Sequence, residues 1–399
     1  MQTIEAQFEI VTPMFISGAN NEADLRPPSI KGALRFWWRA LHWGQCLQDC
    51  QQDTGKALKR LYGLEAELFG AAVKDDKYGQ GSLFLKLKPG FPNKQFVADT
   101  SKPGVTYLLG QGLFHFKKGY LKPALAAKQC FTLILKVRDN DSLDGVIDSL
   151  LLWGLLGGLG SRARKGLGSV AIRSLLLKEN HKNVIKEIEI PKTKEEYVKT
   201  IQSLLRQINN GLPPFTALSG KTRIDISEEG SHANTLLNKI GMEMQLYRSY
   251  GKNSGKGHKV AGRDAEQNFK SDHDNVLNFI KTGSIKEHPK RVIFGLPHNY
   301  FYSSISQNVD VLAVDTTMNS NKKESQHRRS SPLFIHIHRF NEKECIAVQA
   351  LIQAEFLPEK YQIQLFNKKS KKKVSLPCKV NWDDIQTYLN RFKHREEII

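Results

Sequence analysis

The chain has 399 residues, 59 Lys and Arg against 40 Asp and Glu, and a formal net charge of +19. An excess of that size favours a polyanionic partner, because each phosphate that a cation neutralises releases condensed counterions. It excludes a membrane span as the source of function, since the apolar stretch Leu150 to Leu159 is far too short to cross a bilayer, and no long lipid-facing helix supports an anionic membrane surface as the partner.

In chain order, Ile4 to Val11 reads as a strand ending at the Thr12-Pro13 turn, with no signal peptide ahead of it. Ser29 is a good N-cap for a helix running to about Trp43. Ser82 to Lys88 and Phe131 to Val137 alternate as strands, a helix runs from about Ser142 to Gly157-Gly158, and Ser169 to Leu177 is a last strand. Lys178 to Lys194 is charged and reads as a linker into a helix with Tyr197, Ile201, Leu204 and Ile208 on one side.

The second half repeats the layout. Thr222 to Ile226 is a strand, and His232 to about Tyr250 a helix with Leu237, Ile240, Met244 and Tyr247 on one face. Strands are expected at Arg291 to Phe294, Leu333 to His338 and Cys345 to Ile352, with a final helix from Asp383 to Phe392. The expected fold is α+β, two tandem ferredoxin-like domains with insertions, over residues 1–180 and 195–399. Gly251 to Gly262 and Thr316 to Ser330 read as polar loops, and Lys368 to Lys373 as a solvated hairpin tip.

Two segments carry chemistry. On the helix from Ser29, the residues Ile30, Leu34, Trp37 and Leu41 form the core stripe, while Lys31, Arg35, Trp38, Arg39 and His42 share an adjoining face. Cations interrupted by an aromatic ring suit RNA, the charges meeting phosphates and Trp38 or His42 stacking on a base. Arg26 precedes the helix, whose free N–H groups also favour an anion. A solvated face with Trp38 packed under a loop is the competing reading.

The segment Gly157 to Gly168 is sharper, with five glycines and the cations Arg162, Arg164 and Lys165. Gly158, Gly160 and Gly166 would let the backbone approach a ligand closely while the cations grip phosphates. It lacks the Gly-Lys-Ser/Thr of a Walker loop, and it follows a helix where a dinucleotide fingerprint follows a strand. In the second half, Arg248 and Lys252 close a helix, His298 and Tyr300 lie beside Gly295, and Arg328-Arg329 lead into the strand at Leu333.

The chemistry of an enzyme or metal site is sparse. His42, Cys46 and Cys50 would align on a helix, but a fourth zinc ligand is lacking at useful spacing. Five scattered cysteines point to a reducing cytoplasm without a disulfide framework. Metal-free RNA cleavage needs only a positioned base and a cation, and His42, His298 and Tyr300 are the side chains to suspect.

The run Leu25-Arg26-Pro27-Pro28-Ser29-Ile30-Lys31-Gly32-Ala33-Leu34-Arg35-Phe36-Trp37-Trp38-Arg39-Ala40-Leu41 resembles the signature of one family, the first RAMP subunit of the Cmr complex, the type III-B CRISPR effector. Thr12 to Phe15, Leu68-Phe69-Gly70, the glycine loop, Phe294 to Pro297 and Ser331 to Leu333 are similar to it in the same order. Lys165 stands where the family more often has arginine, which keeps the charge but loses a bidentate grip. The resemblance implies ferredoxin-like domains akin to RNA-recognition folds, with the glycine-rich loop on the RNA-facing side. It implies a non-catalytic subunit without cofactor, in antiviral defence, partnered by guide RNA, target RNA and other Cmr subunits near the 3′ part of the guide. Target cleavage and cyclic nucleotide synthesis belong to other subunits of such a complex. A RAMP-type endoribonuclease that processes guide RNA is the rival, and a pure protein–protein adaptor would leave the charge without a purpose.

Overall fold

Burial alternates along the first strand, Gln2–Ile10, which turns Ile4, Ala6, Phe8 and Ile10 inward. The computed structural model describes residues 2–18, 20–72, 79–89, 102–110, 112–115, 117–179, 183–206, 211–250, 252–253, 256–260, 262–317 and 328–399. The first strand pairs antiparallel with Cys130–Val137 on one side and Val170–Glu179 on the other, and Leu83–Pro89 lies beyond Cys130–Val137. Taken by chain position, the spatial order is second, third, first, fourth, the ferredoxin-like arrangement.

Among the described residues, four helices belong to this half: α1 (Pro27–Asp49), α2 (Thr54–Phe69), α3 (Pro103–Leu109) and α4 (Leu143–Leu156). Helix α1 starts earlier than expected, with Arg26 at the cap position and Pro27 and Pro28 inside the first turn. Proline's fixed φ suits that turn, and its missing N–H is one that no helix bond would use. Ser29 is therefore inside the helix and does not cap it.

The charged stretch expected to be a linker is partly sheet. Val170–Glu179 turns back as Asn183–Glu187, a fifth strand at the edge whose residues are all exposed. Helix α5 (Lys194–Leu204) follows, capped by Thr193, whose side chain accepts from the Glu196 amide. Its Tyr197 is fully buried and donates to the Leu155 carbonyl at 2.6 Å, which ties α5 to the end of α4. Ile208, expected on the same face, lies outside the described residues.

The second half builds the same sheet again. Leu333–Asn341, Glu344–Ile352, Thr222–Gly230 and the short Glu396–Glu397 lie side by side, antiparallel and in that order. Helix α6 (Ala233–Tyr247) buries Leu237, Ile240, Met244 and Tyr247, as its period predicts. Between α6 and Leu333 the chain inserts α7 (Lys270–Thr282), and the last helix is α8 (Asp383–Leu389).

The insertion also supplies a further antiparallel sheet, His298–Tyr302, Gln307–Asp315, Tyr361–Asn367 and Lys373–Pro377, with its own core around Val276, Phe279, Val309 and Ile363. The basic run 368–373 joins its last two strands. This sheet is not legible in the sequence, and Arg291 to Phe294, expected as a strand, lies in a 3-10 helix, Lys290–Phe294. The cause is Asp272: its buried carboxylate accepts from the amides of Lys290 at 2.7 Å and Arg291 at 2.9 Å, tightening that turn.

The two ferredoxin-like sheets share their cores. Ile224, Phe334 and Val348 of the second half pack in one cluster with Phe8, Trp37 and Trp153 of the first. A buried triad crosses the same boundary: Arg173 donates to Glu9 at 2.6 Å and 2.8 Å, and Arg339 pairs with the other oxygen of that carboxylate. Among the described residues, no helix is long and apolar enough to cross a membrane.

Candidate nucleic-acid interface

The loop Gly157–Gly168 is stitched to the protein on both sides. Thr12 Oγ1 donates to the Gly166 carbonyl at 2.7 Å and accepts from the Ser169 amide at 2.9 Å. The Ser161 amide donates to Phe15 at 2.7 Å, and the Ile335 amide of the second half donates to the Arg164 carbonyl at 3.1 Å. Gly166 has φ 78°, and a Cβ there would lie 2.6 Å from Leu237 Cδ1. Gly160, at φ 89°, comes up against the Phe15 carbonyl, and Gly158 bridges to Ser169. At all three positions the close approach is between parts of this chain rather than to a ligand, within the first half at Gly158 and Gly160 and across the seam between the halves at Gly166.

Its three cations have different fates. Arg164 is enclosed: its Nη1 donates to Ser331 O at 2.7 Å, and its guanidinium lies over Phe334 at 4.4 Å and Phe36 at 5.2 Å. Burial and then Arg329 pull its pKa down to about 10, so it stays charged at neutral pH. Arg162 is exposed, takes the left-handed φ of 67°, and anchors Nε on Leu109 O at 3.1 Å. Burial of part of the side chain and the charge of Arg328 lower its pKa. Lys165 is half-buried, and its Nζ contacts Met244 Sδ at 3.6 Å; burial first, then Arg248 and Arg162, bring it down to about 7.

Second-half residues that no sequence pattern joins to this loop gather around it. Arg328 is exposed and acts on Arg162. Arg329 is held by Thr216 Oγ1 at 3.3 Å and Glu355 O at 3.2 Å and lies over Phe356 at 5.5 Å. Arg248 caps α6 with its guanidinium 4.8 Å over Phe294 and its Nε buried without a hydrogen-bond partner. His298 is half-buried and its Nε2 is also unpartnered; burial, Arg248, Arg291 and Lys165 press its pKa down to about 3.

Arg291 belongs to this group and was missed as a site residue. It donates from Nη1 to the Arg248 carbonyl at 3.3 Å and sits 3.6 Å from Asp272. No pattern in the sequence could have placed it, since its position depends on the 3-10 turn. Tyr300 does not present its ring to solvent: it is 8% exposed, donates to Asp272 at 3.3 Å and carries Arg291 at 5.0 Å. The Lys252 side chain lies outside the described residues.

The face of α1 differs from its helical-wheel reading. Trp38 is 4% exposed, stacked on His42 at 4.1 Å and edge-on to Phe69, so its ring is core and has no open face for a base. His42 donates from Nδ1 to Trp38 O at 2.8 Å, and burial lowers its pKa. The physical reason is that α2 covers the side of α1 that a lone amphipathic helix would leave wet.

Arg35 pairs with Glu65 at 3.1 Å, also donates to Gly70 O, and Arg39 lies 3.6 Å from the same carboxylate. That leaves Arg26, which is exposed, and the half-buried Lys31, whose pKa is lowered by burial and then by Arg35. Burial raises the Cys46 thiol to about 11, which opposes the thiolate a zinc site would need. Among the described residues, no group of three or more His, Cys, Asp or Glu is placed to hold a metal.

Residues 7–171 match the family model of the RAMP superfamily. Among solved structures, the chain is similar to Cmr1 from Pyrococcus furiosus in its apo form, with 15% identity over 100% of this chain and 99% of that one and a TM-score of 0.54. It is similar also to a chain of the cryo-EM structure of Type III-B Cmr-beta bound to cognate target RNA, with 14% identity over 98% and 99% and a TM-score of 0.51. No curated protein matches it. Residues 7–171 thus match the RAMP superfamily, and along its whole length the chain has the fold solved in Cmr1.

Proposed function

We propose that this chain is a non-catalytic RNA-binding subunit of a type III-B CRISPR effector complex in the cytoplasm. On this reading it contacts the 3′ region of the guide, the target RNA or both, beside other Cmr subunits. Its halves, 1–180 and 195–399, act as two ferredoxin-like domains with the contact at their seam. The observation that carries it is the uncompensated cationic group on that seam: Arg162 and Arg328 exposed at the rim, with Lys165 and Arg248 behind them. A run of cations without carboxylates is the footprint of a phosphate chain. The fold supports the same reading, since it is shared with a chain from a complex solved with target RNA. Two of the three side chains suspected of acid–base work are committed to packing, His42 against Trp38 and Tyr300 to Asp272.

The test is filter binding and cleavage with single-stranded guide-like RNA and the purified chain, across a salt series and without metal. The expected result is intact RNA and an affinity that falls steeply with salt. Binding that ignores salt would overturn the RNA reading, and site-specific cleavage lost on His298→Gln would replace it with a processing nuclease.

A further inference from the structure

Two cations and a neutral imidazole from three separate elements act on one another where the glycine loop, the end of α6 and the inserted sheet meet. Lys165 comes from the loop, Arg248 from the cap of α6, and His298 opens the strand His298–Tyr302. Each residue is half-buried, and neither cation is satisfied in the usual way. The Lys165 ammonium has a thioether as its hydrogen-bond partner, and among the described residues Arg248 Nε and His298 Nε2 are buried without one, while the imidazole also bonds the Arg291 backbone. The charges acting on His298 are Arg248, Arg291 and Lys165, and those acting on Lys165 are Arg248 and Arg162; every one is a cation.

The nearby carboxylate is already engaged. Asp272 accepts from the amides of Lys290 and Arg291 and from the Tyr300 hydroxyl, and it neighbours the Arg291 guanidinium. Among the described residues it does not pair with Lys165 or Arg248. Like charges brought together and partly desolvated destabilise a fold unless a counter-charge joins them. Two under-paired cations call for a partner with several acceptor oxygens, and a guanidinium with an ammonium is the pairing that recognises phosphate.

We infer that Lys165 and Arg248, beside His298, form a seat for one phosphate group at the junction of the loop, α6 and the inserted sheet. The phosphate is either a free inorganic anion or one phosphodiester of a bound RNA. The second source rests on the RNA reading above; the first does not. Arg162 and Arg328 at the rim are outside the seat and meet neighbouring phosphates.

The test titrates the full chain with inorganic phosphate by calorimetry, and follows its melting temperature as phosphate replaces chloride at constant ionic strength. The expected result is saturable binding and a rise in Tm with phosphate, as for any ligand that binds the folded state alone. Lys165→Met should weaken phosphate roughly tenfold, the loss of one charge-assisted contact, while Tm in chloride is unchanged or higher because a crowded charge is gone. Arg248→Gln should weaken it likewise, and serves where the first variant folds poorly.

A residue with a merely structural role would do the reverse, lowering Tm in chloride and leaving the phosphate response intact, which would overturn the inference. Equal Tm in phosphate and chloride, with no heat of binding, would also overturn it. RNA then separates the sources. If Lys165→Met lowers the salt slope of RNA binding by about one and RNA displaces phosphate, the seat holds a phosphodiester. If phosphate binds and the RNA slope is unchanged, it holds the free anion. Failure of the wild-type chain to bind RNA strikes only the RNA reading, since the phosphate titration stands without it.

Discussion

Arg162 and Arg164 are two residues apart and do opposite work. Arg164 holds Ser331 and is sandwiched by Phe334 and Phe36, so it joins the halves. Arg164→Ala should cost about 2–4 kcal/mol in urea unfolding, a hydrogen bond to a charged group plus desolvated cation–π contacts. Arg162→Ala should move stability by about 1 kcal/mol or less, since it gives up one bond to Leu109. It should instead reduce the salt slope of RNA binding by about one. The opposite pattern, with Arg162 the costlier to remove, would refute this division of labour. Sequence could read the charge and the glycines of this loop, because both are compositional. It could not read which cation turns inward, because that follows from the left-handed φ of Arg162 and from a strand 170 residues away in the other half.

At the scale of elements, the periodic signals were legible and the covered faces were not. The strands around Ile4 and Phe131 and the inward face of α6 follow from alternation and a 3.6-residue period, and the structure has them. The wheel of α1 failed at Trp38 because the helix is packed on more than one side, against α4 and against α2. Trp38→Ala should therefore destabilise the chain by about 3–5 kcal/mol, with RNA affinity of the folded fraction unchanged. A selective loss of RNA binding at full stability would return the ring to the surface. The inserted sheet was missed for a related reason: its first strand, His298–Tyr302, follows a turn set by Asp272, a residue on α7. On the same principle, Glu65 fixes Arg35 and Arg39 and keeps both from serving a ligand. Glu65→Gln should cost about 1 kcal/mol, because the two arginines it releases are partly exposed, and should steepen the salt dependence of RNA binding by freeing two cations.

For the whole molecule, the seam between the halves sets the response to acid. His336 is 1% exposed, and its Nδ1 donates to Gly157 O at 2.8 Å while Nε2 has no partner. Burial holds its pKa at about 4, against the 6.5 of a free imidazole. His338, beside it and against Tyr197, is held well below 6.5 by burial and by His336 and Arg173. A base whose folded pKa is depressed is neutral in the fold while the unfolded chain takes up the proton. Between pH 6.5 and 4 the unfolded state therefore binds more protons, and stability falls as pH falls through that window. The contribution of His336 is on the order of 3 kcal/mol by pH 4, and it is absent above pH 7. His336→Gln keeps a donor for Gly157 O and removes the titration. It should flatten the fall in denaturant stability between pH 6.5 and 4 while leaving the value at pH 7.5 within about 1–2 kcal/mol of wild type. If the acid limb keeps its full slope in that variant, the seam is not what acid opens, and the carboxylate pairs such as Glu9 with Arg173 and Arg339 must carry it instead.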